Sequence, residues 1–228
     1  MTSPRFRYMF DPLCGWCYAS AMALEALAER HGDQLEMMPT GLFAGAGARP
    51  MSVIAEHAER NDRQIGRITG QVHSEAYFQN IVRNSPGKLD SGPTTYALVA
   101  LGQIKRALEP RYLHAVQIAR YVDARDTSLP AEAAAIAVDV AAEAGITLDA
   151  AGFERLITTD ERLAAMVETR MEASLDLMDN MSVVGVPSLI MTVDGQDRLL
   201  QNEVIYGGGP ALFAAIDKVA TPQAATAT

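Results

Sequence analysis

The sequence predicts an α/β protein with a β-α-β opening, a long all-helical stretch, and a closing helix, β-hairpin and helix. Three observations predict this order. A short alternating run, Phe6 to Phe10, leads into the chain's only two cysteines, Cys14 and Cys17, where a helical pattern begins. From about residue 51 to residue 163 no strand signal of comparable strength interrupts a series of helix signals. Val186-Pro187 then introduces a β-rich run to Val193, followed by the turn pair Asp194-Gly195.

Each element has a local reason. Phe6, Tyr8 and Phe10 alternate with Arg7 and Met9, the period of a strand. Asp11-Pro12-Leu13 makes the turn. Tyr18 to Arg30 is an alanine-rich helix with Ala21, Leu24, Leu27 and Ala28 on one stripe, capped near Gly32. Leu35 to Met38 is the second strand. Gly41 to Gly47 is a flexible exit from it, because no lysine or threonine follows at the spacing of a phosphate-binding loop.

Helices are then expected at Ser52 to Asp62, at Thr95 to Ala107 after Gly92-Pro93, and at Tyr112 to Val122, with breaks at Ser85-Pro86-Gly87 and Glu109-Pro110. Pro130 opens a further helix that Gly145 ends, and Asp149 is the N-cap of the next. Ala164 to Met181 is a long helix with Val167, Met171, Leu175 and Met178 as its buried stripe. Leu199 to Tyr206 is expected as the strand returning from a loop through Gln196-Asp197-Arg198. Gly207-Gly208-Gly209-Pro210 turns the chain into a last helix, Ala211 to Val219, and the tail 221–228 is expected to be disordered. The domain reading is a core of 1–48 and 164–220, with a helical domain inserted at 49–163.

Composition narrows the function classes. In 228 residues the formal net charge is −9, which argues against nucleic-acid binding, since phosphate neutralisation needs basic patches. No apolar run approaches the ~18 residues of a membrane span. The start, Met1 to Arg5, leads straight into the first strand and leaves no room for a secretory signal, so the expected compartment is the cytoplasm. Structural disulfides are disfavoured there, and a lone cysteine pair reads as catalytic, redox-sensing or metal-binding.

Cys14-Gly15-Trp16-Cys17 places two sulfurs on the first turn of a helix beside a β-α-β unit, the sequence form of a thioredoxin-like redox site. Zinc is the weaker reading: a structural site needs four ligands, and His31, His57, His73 and His114 lack the matching spacing. These histidines read as surface or local hydrogen-bonding residues. Met171 and Met178 read as core filler. Cys14, at the helix start, is the attacking thiolate, and Cys17, one turn inside, is the resolving thiol. Trp16 is a candidate for substrate contact. Gly207 to Pro210 could hold a carboxylate such as that of glutathione, although a tight turn explains them more simply.

With Cys14-x-x-Cys17 and Val186-Pro187 before a strand, the chain resembles the DsbA-like family of thiol–disulfide oxidoreductases, nearer its cytoplasmic FrnE-like branch. The resemblance implies a thioredoxin fold with an inserted all-helical domain. It implies that Pro187 is cis and faces the cysteines, that Val186 offers backbone hydrogen bonds to an extended substrate, and that the helical segment caps the site. Gly15 and Trp16 modulate the potential of the pair. The implied activity is exchange of disulfides with protein or small thiols, with glutathione as co-substrate and no tightly bound cofactor or metal. One position departs from the family pattern: Tyr8 stands six residues before Cys14, where related proteins commonly carry a buried acid that takes the proton of the second thiol. Asp11 and a water are the remaining candidates for that role.

Two alternatives stay open. The kappa-class glutathione transferases and 2-hydroxychromene-2-carboxylate isomerases resemble this architecture but usually have serine at the first motif position, which weighs against them here. The other is a non-catalytic thioredoxin-fold adaptor. The electron donor, the direction of electron flow and the oligomeric state are not fixed by the sequence.

Overall fold

The computed structural model describes residues 3–220; the tail 221–228 lies outside the described residues. Strand β1 (Arg5–Phe10) runs parallel to β2 (Leu35–Pro39) and antiparallel to β5 (Ser188–Val193), which pairs with β6 (Gln196–Leu200), giving the order β2-β1-β5-β6. The central β1 carries the aromatic alternation. Phe6, Tyr8 and Phe10 enter the main core on one face, while Met9 joins Met38 and Ile190 on the other. Burying each of these large side chains contributes about 2–3 kcal/mol.

Helix α2 (Ala21–His31) and the last helix, α11 (Gly208–Ala220), pack together, and α9 (Glu161–Asn180) packs on β2. Met178 of α9 lies against the Met9, Met38 and Ile190 cluster. The α9 stripe follows the helical period through Leu163, Val167 and Ser174, whose hydroxyl donates to the Arg170 carbonyl. Leu175, expected on that stripe, is 52% exposed, because Ser174 holds the inward position.

Between β2 and α9 the chain runs through α3 (Met51–Thr69), α4 (Glu75–Tyr77), a π-turn at Phe78–Arg83, α5 (Gly92–Ile104), α6 (Leu108–Tyr121), α7 (Pro130–Glu143) and α8 (Ala150–Thr159). Asp149 caps α8 by accepting from the Gly152 N–H at 2.7 Å. A two-residue ladder of β3 (Arg49–Pro50) with β4 (Lys88–Leu89) departs from an all-helical reading of this stretch. Helix α3 runs seven residues past Asp62, to Thr69, and Gly70 takes φ +76° as its cap. Pro110 does not break α6. It is the third residue of that helix, where a backbone N–H has no helical acceptor to lose.

The second hairpin also corrects the sequence reading. Asp194 and Gly195 have φ +48° and +78°, the left-handed pair of a two-residue turn, so Gln196 already lies in β6. The strand is used up at Leu200, opposite Leu189. The residues expected as strand beyond it, Asn202–Tyr206, coil into α10. Helix α11 starts at Gly208, ahead of the expected Ala211. A Cβ on Gly209 would lie 2.9 Å from the Ala26 Cβ, so Gly209 serves the close approach of α11 to α2.

Candidate active site

Both cysteines lie in the first turn ahead of a break in the first helix at Ser20. Cys14 is the N-cap of α1 (Gly15–Ala19), and its carbonyl accepts from the N–H groups of Cys17 and Tyr18. The helix expected to run on unbroken from Tyr18 stops at Ala19, because Ser20 bends it. The Ser20 hydroxyl donates to the Cys17 carbonyl at 2.9 Å and pairs with the Tyr8 phenol at 2.7 Å. Tyr8 therefore fills the position of the missing acid with a hydroxyl chain that ends on a Cys17 carbonyl oxygen. Burial first, and the nearby Cys17 second, push the Tyr8 phenol well above its ordinary range, so it stays neutral and supplies no base.

Cys14 retains 7% of its surface and Cys17 none. Burial, followed by the hydrogen bond and charge of Cys14, drives the Cys17 thiol well above its ordinary value. Cys17 is thus a protonated, enclosed thiol beside a more accessible one. The Cys14 thiol faces the Val186 carbonyl oxygen at 3.8 Å, which places Val186 beside the motif across 172 residues of sequence. The Val186–Pro187 peptide bond is cis. Trp16 lies against Tyr206 of α10, with ring centroids 5.4 Å apart. Tyr206, read in sequence as the end of a strand, forms a wall of the site. Val184, in the same loop as Val186, and Leu42, beside Phe43, are exposed apolar residues on two loops, one meeting Cys14 and the other Asp11.

Asp11 is fully buried beneath the motif. Its Oδ1 accepts from the Leu13 N–H at 2.9 Å, and its Oδ2 accepts from the Phe43 N–H at 3.0 Å and the Ser91 hydroxyl at 2.7 Å. Burial raises its carboxyl above the usual range while these three donors oppose the rise. The carboxylate thereby ties together the motif turn, the glycine-rich loop and the start of α5, and both oxygens are occupied. As a proton acceptor for Cys17 it is poorly placed. An Asp11→Asn variant turns one acceptor into a donor and leaves one N–H unmet. It should unfold at lower urea concentration, by about 2 kcal/mol, and an unchanged urea midpoint would show that these bonds do not hold the loops.

Behind the motif lies a buried polar cluster that the sequence did not signal. Asp62 of α3, 4% exposed, accepts from the Tyr77 phenol at 2.7 Å through Oδ2. Its Oδ1 is 3.8 Å from His73 Nε2. A Cβ on Gly15 would collide with that same Oδ1, so the glycine inside the motif is what admits the carboxylate. His73 is a correction to the expected surface role: its side chain is 3% exposed and its ring is surrounded by those of Tyr18, Tyr77, Phe78 and Tyr121. Burial lowers it to about 4, so it is neutral at pH 7. No signal in the sequence marks Asp62, which sits in a polar helix among Arg60, Asn61 and Arg63.

No protein-family model matches the chain, and no curated protein matches its sequence. Solved structures do. The chain is similar to the cytosolic disulfide reductase DsbM from Pseudomonas aeruginosa, with a TM-score of 0.78 and 24% identity over 95% of this chain and 100% of that one. The same reductase solved with GSH gives 0.77 and 24%, over 94% and 98%. The chain has the DsbA-like thioredoxin fold. A variant of Pseudomonas aeruginosa DsbA matches it with a TM-score of 0.50 and 17% identity, over 96% of this chain and 85% of that one. A 2-hydroxychromene-2-carboxylate isomerase gives 0.53 and 15%, over 94% and 93%. These identities establish the fold, which hosts more than one chemistry. Among the described residues no helix is long and apolar enough to cross a membrane.

Proposed function

We propose that this protein is a thiol–disulfide oxidoreductase working through the Cys14–Cys17 dithiol. The observation that carries the reading is the pairing of an enclosed, protonated Cys17 with a more accessible Cys14 turned toward the Val186 carbonyl. Cys14 attacks a substrate disulfide, forming a mixed disulfide and expelling the first substrate thiolate. Cys17 then attacks the Cys14 sulfur, closing the protein disulfide and releasing the second. Two electrons pass to the substrate, and the reverse sequence oxidises a dithiol. Gly15, Trp16, Val186 and Pro187 form the substrate-contacting surface, and exposed Val184 and Leu42 add apolar area beside it.

Glutathione is the proposed co-substrate and the cytoplasm the proposed compartment. The likeness to a reductase described as cytosolic and solved with GSH supports both. The domain division of 1–48 with 164–220 around 49–163 belongs to the same reading: the first and last parts carry the cysteines and Val186-Pro187, and the inserted helices stand behind the motif. The test is equilibration with mixtures of reduced and oxidised glutathione, followed by thiol trapping and mass analysis. A reversible two-thiol transition is expected. A potential near ~−270 mV marks a reductase and one near ~−120 mV an oxidase or isomerase. Cysteines that stay reduced, or oxidise only irreversibly, would sink the reading. The likeness to the isomerase supports a second reading, a glutathione-dependent transferase or isomerase. It requires tight non-covalent glutathione binding that survives Cys14→Ser. Retention of the cellular role in that variant without glutathione binding would instead indicate an adaptor.

A further inference from the structure

We propose that Asp62 is a positioning residue of the redox pair: seated on the Gly15 backbone, its carboxylate opposes negative charge on Cys14, favours the disulfide and keeps the pair reducing. The inference rests on the redox reading above. The geometry is specific. Asp62 reaches the motif from α3, and only the missing side chain of Gly15 leaves room for Oδ1. The groups around the carboxylate are few. Tyr77 donates to Oδ2, His73 stands 3.8 Å from Oδ1, and Arg120 and Tyr121 of α6 lie near enough to interact with its charge.

Those neighbours offset the carboxylate only in part, through the Tyr77 hydrogen bond and the Arg120 charge. His73 is uncharged near pH 7 and its Nε2 has no hydrogen-bond partner. Arg120 is the one cation of the group; its Nε and Nη1 make no hydrogen bond, and its Nη1 stands 3.9 Å from Asp126 Oδ1, so its charge is shared with a second carboxylate. Asp11, the other buried acid at the motif, has both oxygens engaged by donors. Asp62 keeps Oδ1 pointed at the motif, over the Gly15 backbone. In a poorly hydrated setting a carboxylate one residue from a thiolate repels it far more than in water. Burial raises Asp62 to about 6 against the opposing Tyr77 hydrogen bond and Arg120 charge, so the repulsion switches on across the neutral range.

The equilibrium measured is protein disulfide plus two glutathione thiols against protein dithiol plus glutathione disulfide, a transfer of two electrons and two protons. At pH 7 Asp62→Asn removes the repulsion, stabilises the dithiol, and should lower the equilibrium constant for oxidation about tenfold, or about 30 mV. Tyr77→Phe keeps the carboxylate but deletes a donor that holds its ionisation down. It should leave the equilibrium unchanged at pH 8 and move upward the inflection that the Asp62 carboxylate imposes on the rate of Cys14 alkylation. A structural role alone would not move that inflection. A reversible wild-type transition with Asp62→Asn within twofold of it overturns the assignment. Should Asp62→Asn fail to fold, an inflection that stays in place in Tyr77→Phe overturns it equally. A wild type with no reversible transition would strike instead at the redox reading beneath it.

Discussion

Cys17→Ser is expected to accumulate as a mixed disulfide between Cys14 and glutathione, and Cys14→Ser to lose disulfide exchange by at least ~10³-fold. The asymmetry follows from burial. An incoming disulfide meets the sulfur at Cys14, whereas Cys17 has no exposed surface and its proton is held by desolvation and by Cys14. Removing Cys14 leaves no accessible nucleophile. Removing Cys17 leaves the first step intact and deletes the second, so the intermediate persists. Intact-mass analysis after exposure to oxidised glutathione reads both results. Equal modification of the two single variants would mean that Cys17 is as reachable as Cys14, and the assignment of attacking and resolving thiols would fail.

What the sequence made legible was what short stretches encode by themselves. Strand β1 follows from the alternation of Phe6, Tyr8 and Phe10, the α8 cap from Asp149, and the cysteine pair from two letters at a fixed spacing. The fold was legible in the order of those stretches, which is why it agrees with structures of no more than 24% identity. What stayed hidden depends on partners far apart in the chain. Asp62 and Gly15 meet across 47 positions, and nothing in a helix rich in Arg and Glu distinguishes a carboxylate that turns inward. His73 looked like a surface residue because the aromatic rings around it come from α1, α4, the π-turn and α6. The error at β6 has a different origin. A two-residue turn and a longer loop are both compatible with Asp194-Gly195 in sequence, and choosing the loop displaced the strand into residues that coil as α10.

The largest expected loss of stability outside the cysteine site comes from Arg170→Met. The Arg170 guanidinium donates from Nη1 to Glu109 Oε1 at 2.8 Å, from Nη2 to Glu109 Oε2 at 2.9 Å, and from Nη2 to the Met37 carbonyl at 2.6 Å. One side chain of α9 thus binds α6 of the inserted helices and β2 of the sheet at once, through a two-pronged ion pair. Gly102 of α5 makes the space: a Cβ there would overlap Glu109 Oε1. Methionine fills similar volume but leaves the Glu109 carboxylate, 6% exposed, without its cation. Breaking such a pair from one side costs about 3 kcal/mol, which for a chain of this size lowers Tm by roughly 6–12 °C. Adding Glu109→Gln removes the stranded charge and should recover about half of that loss, because much of the penalty is the unpaired carboxylate and not the missing attraction. Thermal unfolding of the single and double variants reads both effects. A Tm within about 2 °C of the wild type in Arg170→Met, less than the shift expected from even 1 kcal/mol, would mean that water reaches Glu109 and that the helices and the sheet are held together by apolar packing alone.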